Sequence, residues 1–250
     1  MYAKVALPAL GMLKRAIATW GTAQEMQYPK ELKRALLSAL YNVRTSPCKS
    51  VLLSDRSEVA IVFLDGACEP VDSENKHRFE KLTHSSKSRQ LKAEQEFDPK
   101  VTIGGVLILN GMVEEHFGAK VPPQMVESWK AYQGQQQFIG QAEILPTVVA
   151  KETWKEKLKG RLCIFYIDNE SARYGLIKGT SPAKASQELL LENARLDSAL
   201  GCRCFYGRVP TCCNIADAPS RLDDFELRVV WNSKPVVPRY QGGAFASSSL

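Results

Sequence analysis

The sequence predicts an α/β fold, a five-stranded mixed sheet with flanking helices. Three observations carry this reading. Two apolar runs, Val59-Ala60-Ile61-Val62-Phe63-Leu64 and Leu162-Cys163-Ile164-Phe165-Tyr166-Ile167, have the length and the β-branched or aromatic content of buried strands. Asn110-Gly111 separates two further strand-like segments, residues 101–109 and 112–121, as a tight hairpin turn does. Helical patterns over 141–158 and 183–200 fall between later strands, and crossovers of that length make the strands they join parallel.

In chain order, residues 1–50 read as a helical appendage. Leu10, Leu13, Ile17 and Trp20 keep helical spacing, as do Leu32, Leu36, Leu37, Leu40 and Tyr41, with Pro29 near the start of the second helix and Pro47 beyond its end. The main domain is expected over 57–222. Its first strand, 57–65, ends on Asp65. Residues 72–100 are rich in charge and poor in large apolar residues, which predicts a disordered insertion between the first two strands. After the hairpin comes a helix over 141–158, with Pro146 removing a backbone donor in its first turns. The fourth strand, 161–168, ends on Asp168. A short helix over 169–178 stops at Gly179, and a longer one over 183–200 stops at Gly201. A fifth strand at 202–209 and a short helix at 214–222 close the domain. Residues 232–250, with Pro235, Pro238 and a Gly/Ser-rich end, read as a loose tail.

Composition narrows the classes. A net charge of +6 suits a polyanionic partner. Seven cysteines without a Cys-x-x-Cys pair or a matching His cluster favour reduced thiols over disulfides or zinc, hence an intracellular setting, cytoplasm or nucleus. No stretch approaches the ~18 apolar residues of a membrane span, and the start lacks the apolar core of a signal peptide, so no membrane partner is expected. His77, His84 and His116 are expected to face solvent.

The chemistry rests on four acids, Asp65, Glu143, Asp168 and Asp217. Taken singly, each has a plain structural reading. Asp65-Gly66 is a common turn pair, and Glu143 suits the dipole of a helix start. Asp168-Asn169 could open a helix as an N-cap, and Asp217 could sit on a helix surface. Together they differ, because two of them end buried strands. A buried carboxylate needs a partner, and a hard divalent cation is a natural one.

The local words are similar to those of the ribonuclease H domain of reverse transcriptases, the retroelement type including DIRS-like elements. They are Leu64-Asp65-Gly66-Ala67, the Gly-rich Ile103-Gly104-Gly105-Val106, the glutamate helix with Gln141-Ala142-Glu143, Asp168-Asn169-Glu170-Ser171, and Asn214-Ile215-Ala216-Asp217-Ala218-Pro219-Ser220-Arg221. The last is the most specific, although it has one residue fewer between Asn and Ala than the family. This resemblance implies a ribonuclease H-like fold and Mg²⁺-dependent cleavage of the RNA strand of an RNA–DNA hybrid. Two ions, with Mn²⁺ as an alternative, would be held roughly 3.5–4 Å apart. It assigns Asp65, Glu143, Asp168 and Asp217 as catalytic metal ligands, with Asp65 bridging. Asn169, Ser171, Arg208 and Asn214 become candidates for substrate contact. Residues 1–50 become the remnant of a polymerase thumb or connection region, so a polymerase domain is an expected partner. The family's mobile-loop His has no counterpart between the last strand and Asp217.

A second reading is an inactive remnant that binds nucleic acid or serves structurally, suggested by Pro146 and the long insertion. Exonucleases of the same fold carry Asp-x-Glu on the first strand, where this chain has Ala67, and integrases place their glutamate last, so both fit less well.

Overall fold

Alternation along the central strand divides the protein into two layers. In a computed structural model, residues 58–69, 100–130 and 138–240 are described, with the helical positions 33, 36, 37, 40 and 44. The readings of most of 1–50, of 72–99 and of 241–250 lie outside the described residues. Leu36, Leu37 and Leu40, three of the apolar positions of the second appendage helix, are helical and exposed.

The sheet contains β1 (Val59–Glu69), β2 (Lys100–Leu109), β3 (Met112–Lys120), β4 (Leu162–Ile167), β5 (Arg203–Arg208) and β6 (Lys234–Pro235). Its order is β5-β4-β1-β2-β3-β6. β1 is antiparallel to β2 and parallel to β4, which is parallel to β5. This is the ribonuclease H-like topology, with one strand more than the sequence predicts. Asn110 and Gly111 both adopt positive φ, 52° and 76°, as a two-residue hairpin turn requires.

Ala60, Val62 and Leu64 face the larger core with Ile103, Leu107, Phe117 and Phe165. Covering that face are α1 (Pro123–Lys130), α2 (Phe138–Thr153), α3 (Lys155–Leu158), α4 (Glu170–Lys178) and α5 (Lys184–Leu200). Phe63 turns the other way, onto a smaller cluster of Val106, Ala216 and Leu227. There the cover is two short helices, α6 (Asp217–Ser220) and α7 (Phe225–Val229).

α2 begins three residues before the expected 141, so Pro146 lies mid-helix rather than in the first turns. Proline has no N–H, so the Ala142 carbonyl loses its helical donor. That carbonyl meets β1 at Gly66, where any Cβ would collide with it. A strand glycine and a helix proline thus bring backbone against backbone. The Asp65-Gly66 pair is no turn, because β1 runs on to Glu69.

Two expectations are corrected. The tail is not loose throughout, because β6 pairs with β3 and Val236 N–H donates to the His116 carbonyl at 2.9 Å. His116 does not face solvent: it is 1% exposed, with Nδ1 2.8 Å from Ser233 Oγ and Nε2 3.3 Å from Asp224 Oδ2. The insertion between the first two strands joins paired ends, since β1 and β2 stay in register up to Glu69 opposite Lys100.

Two outcomes follow. Gly66→Ala, which would ordinarily strengthen a strand, should here destabilise by about 1–3 kcal/mol through overpacking, read as a lower urea midpoint at unchanged slope. Replacing the segment between Glu69 and Lys100 by an Asn-Gly turn should leave the melting transition in place, because those two residues are already opposed.

Candidate active site

Two parallel strands part company beside Asp65. The β1–β4 ladder ends at Leu64 opposite Ile167, and the next residues along the chain are Asp65 and Asp168. Asp65 therefore ends the β4 pairing, not the strand: it is still paired with Gly104 on its other side. The carboxyl ends of parallel strands diverging in this way are the usual ligand position in open α/β sheets.

Glu143 arrives from α2, one residue after Ala142. Without a side chain on Gly66, the glutamate passes the strand and meets Asp65. Carboxylate oxygens of Asp65, Glu143 and Asp168 all lie within 4.8 Å of one another. Asp65 is 5% exposed and Glu143 6% exposed. Asp217 stands at the margin of this group. Half-buried on α6, it is paired with Arg221, whose Nε lies 3.2 Å from Oδ2, and it repels Asp65. Three of the four acids are gathered, and the fourth adjoins them.

The hydrogen bonds explain how the site is held. Ser220 Oγ lies 2.5 Å from Asp65 Oδ2 and donates to it, with the Asp217 carbonyl, 2.7 Å away, as its alternative acceptor. This contact needs α6 to lie on the strands. Gly104 permits it, because a Cβ there would press on Ser220 N and the Ala216 carbonyl. Asn214 is 5% exposed; its Nδ2 donates to the Leu64 carbonyl at 3.0 Å, and its Oδ1 accepts from Ala216 N–H at 3.2 Å. Its amide thus ties the approach to α6 onto β1. Asn169 caps α4, accepting from Ala172 N–H at 3.0 Å, while Nδ2 reaches Glu143 Oε1 at 3.5 Å. Ser171 and Arg208 are exposed near this edge.

Ser220, Arg221, Gly66 and Gly104 are site residues whose roles the sequence reading did not assign. The first two lie in the motif word that ends the domain, which was the available signal. The roles of the glycines depend on which helix crosses them.

Burial pushes the Asp65 carboxyl up to about 6; the Ser220 hydroxyl opposes this, and Asp168 and Asp217 reinforce it. Glu143 is held well above its ordinary value by burial, then by Asp65 and Asp168. Glu143 Oε2 is buried without a hydrogen-bond partner. Crowded hard oxygens and an orphaned carboxylate atom fit a divalent cation of the Mg²⁺ class.

No protein-family model matches the chain, and no curated protein does. Solved structures do. Ribonuclease H1 from the halophilic archaeon Halobacterium salinarum aligns at 16% identity over 65% of this chain and 95% of its own, with TM-score 0.42. The N-terminal RNase H domain of a Mycobacterium tuberculosis protein aligns at 13% identity over 66% and 92%, also at 0.42. The prototype foamy virus protease-reverse transcriptase aligns at 10% identity over 71% of this chain and 21% of its own, at 0.40. Strand order, strand direction and helix placement define the protein as a ribonuclease H-like α/β domain.

The shifted carboxyl sets a pH dependence. Asp65 binds its proton more tightly folded than unfolded, where its ordinary value is 3.8. Its contribution to stability is therefore complete below about pH 4 and is lost as pH rises through about 6, an effect of ~3 kcal/mol. Asp65→Asn should melt higher than wild type at pH 7 without metal, and the gap should close towards pH 4. Thermal melts across that range, with chelator present, check it.

Proposed function

We propose that this protein is a Mg²⁺-dependent endonuclease that hydrolyses the RNA strand of RNA–DNA hybrids, within or descended from a retroelement reverse transcriptase. The observation that carries the proposal is the Asp65, Glu143 and Asp168 cluster with its unpartnered Glu143 oxygen, at the carboxyl ends of diverging strands. The motif word from Asn214 to Arg221 supports the retroelement connection, in which a polymerase domain is the natural partner and the cytoplasm or nucleus the setting.

Asp65, Glu143 and Asp168 would hold the cation, with Asp217 as a further carboxylate beside them. Bound Mg²⁺, or Mn²⁺ in its place, supplies an activated water and offsets charge on the leaving oxygen. The chain's own residues do the positioning. Ser220 orients the Asp65 carboxylate, and Asn169 steadies Glu143. Arg221 pairs with Asp217, which would have to share its carboxylate with any cation bound there. Ser171 and Arg208, both exposed, would contact the phosphate backbone, and such contacts fix register without reading sequence.

The Arg221–Asp217 pair also favours a second reading, a hybrid-binding module that has lost cleavage because its fourth acid is occupied. A strand-labelled RNA–DNA hybrid incubated with Mg²⁺ decides between them. The enzyme reading expects RNA-strand cleavage by wild type. It expects a loss of at least ~100-fold in Asp65→Asn and Asp168→Asn, beyond the usual cost of disturbing a ligand's own support, with hybrid binding kept in a gel shift. Binding without cleavage by wild type in either metal supports the module. Equal cleavage by both variants would remove these acids from the site.

A further inference from the structure

At the other end of the parallel strands lies a second cluster of metal-binding side chains. α5 ends at Leu200, β5 begins at Arg203, and Cys202 and Cys204 flank that first strand residue. Cys202 Sγ lies 3.5 Å from Cys204 Sγ. Asp197 Oδ1, from the last turn of α5, lies 3.6 Å from Cys202 Sγ and 3.1 Å from Cys204 Sγ. A tetrahedral zinc ion would set sulfur–sulfur edges of about 3.8 Å and sulfur–oxygen edges of about 3.5 Å. The observed triangle is within a few tenths of an ångström of that. Cys163 is the register partner of Cys204 on β4 and lies against both thiols, so a fourth donor is at hand.

Two further observations point the same way. Lys151 Nζ and both thiols converge on Asp197 Oδ1, and a carboxylate oxygen has two lone pairs for those three donors. A cation that takes the sulfurs as thiolates removes two of the competing donors and leaves the lysine its partner. The charges also balance. With Cys163 kept as a thiol, two thiolates and a carboxylate offset a divalent cation and the fully buried Lys151 ammonium, giving a neutral group in a buried place. The spacing Cys-x-Cys without histidine spoke against zinc in the sequence. Folding adds Asp197 and Cys163, one a helix turn before the pair and the other on a neighbouring strand.

We infer that Asp197, Cys202 and Cys204, with Cys163 beside them, form a binding site for a thiophilic divalent cation of the Zn²⁺ class that staples α5 to β4 and β5. The inference is independent of the nuclease reading, because it concerns other residues and another class of metal. The probe is Co²⁺ titrated into reduced, metal-stripped full-length protein, followed by Zn²⁺. The expected result is a sulfur-to-cobalt charge-transfer band that saturates at a single equivalent and is abolished by Zn²⁺. The band should be lost in Cys202→Ser and Cys204→Ser, and kept when the exposed pair Cys212 and Cys213 is changed to serine. Should the serine variants misfold, alkylation of wild type mapped by mass spectrometry replaces them: Zn²⁺ should protect Cys202 and Cys204 while Cys212 and Cys213 stay reactive. No thiolate band in wild type, a band that survives in both serine variants, a band lost only with Cys212 and Cys213, or no Zn²⁺ protection of Cys202 and Cys204 would overturn it.

Discussion

The close crossing of α2 over β1 is the constraint on which the rest depends. It joins the residue after Asp65 to the residue before Glu143, so it fixes two acids from distant parts of the chain with one contact. The contact is backbone on backbone, made possible by Gly66 on the strand and by Pro146, which frees the Ala142 carbonyl from its helical donor. Proline inside a helix ordinarily costs ~3 kcal/mol. Here it sits where a regular helical bond would compete with the crossing. The same logic recurs on the opposite face, where Gly104 lets α6 settle close enough for Ser220 to reach Asp65.

Two buried charged clusters divide the work differently. Around Lys151, Asn193 Oδ1 and Asp197 accept and the Tyr206 hydroxyl adds a third contact, so the charge is partnered from several sides. Around Glu143 the neighbours are mostly of the same sign, and one oxygen has no partner at all. A buried group left in that condition weakens the metal-free fold, and such arrangements concentrate at functional sites. A cation would turn the repulsion into coordination. The acid end of the sheet therefore reads as a place where stability is given up for binding.

Much of this was legible in the sequence, for reasons that differ by element. Two apolar runs and an Asn-Gly turn marked four strands, because period and turn chemistry are local properties. The order of the acids marked the site for the same reason, since Asp65 and Asp168 each follow a run whose partner could be inferred from topology. What stayed hidden was long-range. Asp-Gly looked like a turn, yet β2 keeps pairing past it and the glycine serves a helix seventy-odd residues away. His116 was read as exposed. Its burial comes from Ser233 and Asp224, more than a hundred residues later. Asn214 looked like a substrate contact because it stands in a motif, but its amide is engaged by Leu64 and Ala216.

The role proposed for the acids beside the β1–β4 divergence is to hold a hard divalent cation. Electron paramagnetic resonance of Mn²⁺ titrated into the protein tests it without requiring turnover. Protein-bound Mn²⁺ should form in wild type and be displaced by excess Mg²⁺. Binding should be lost in Glu143→Gln and retained in Cys202→Ser, whose residue lies at the other end of the sheet. Mn²⁺ bound by Glu143→Gln as tightly as by wild type would contradict it.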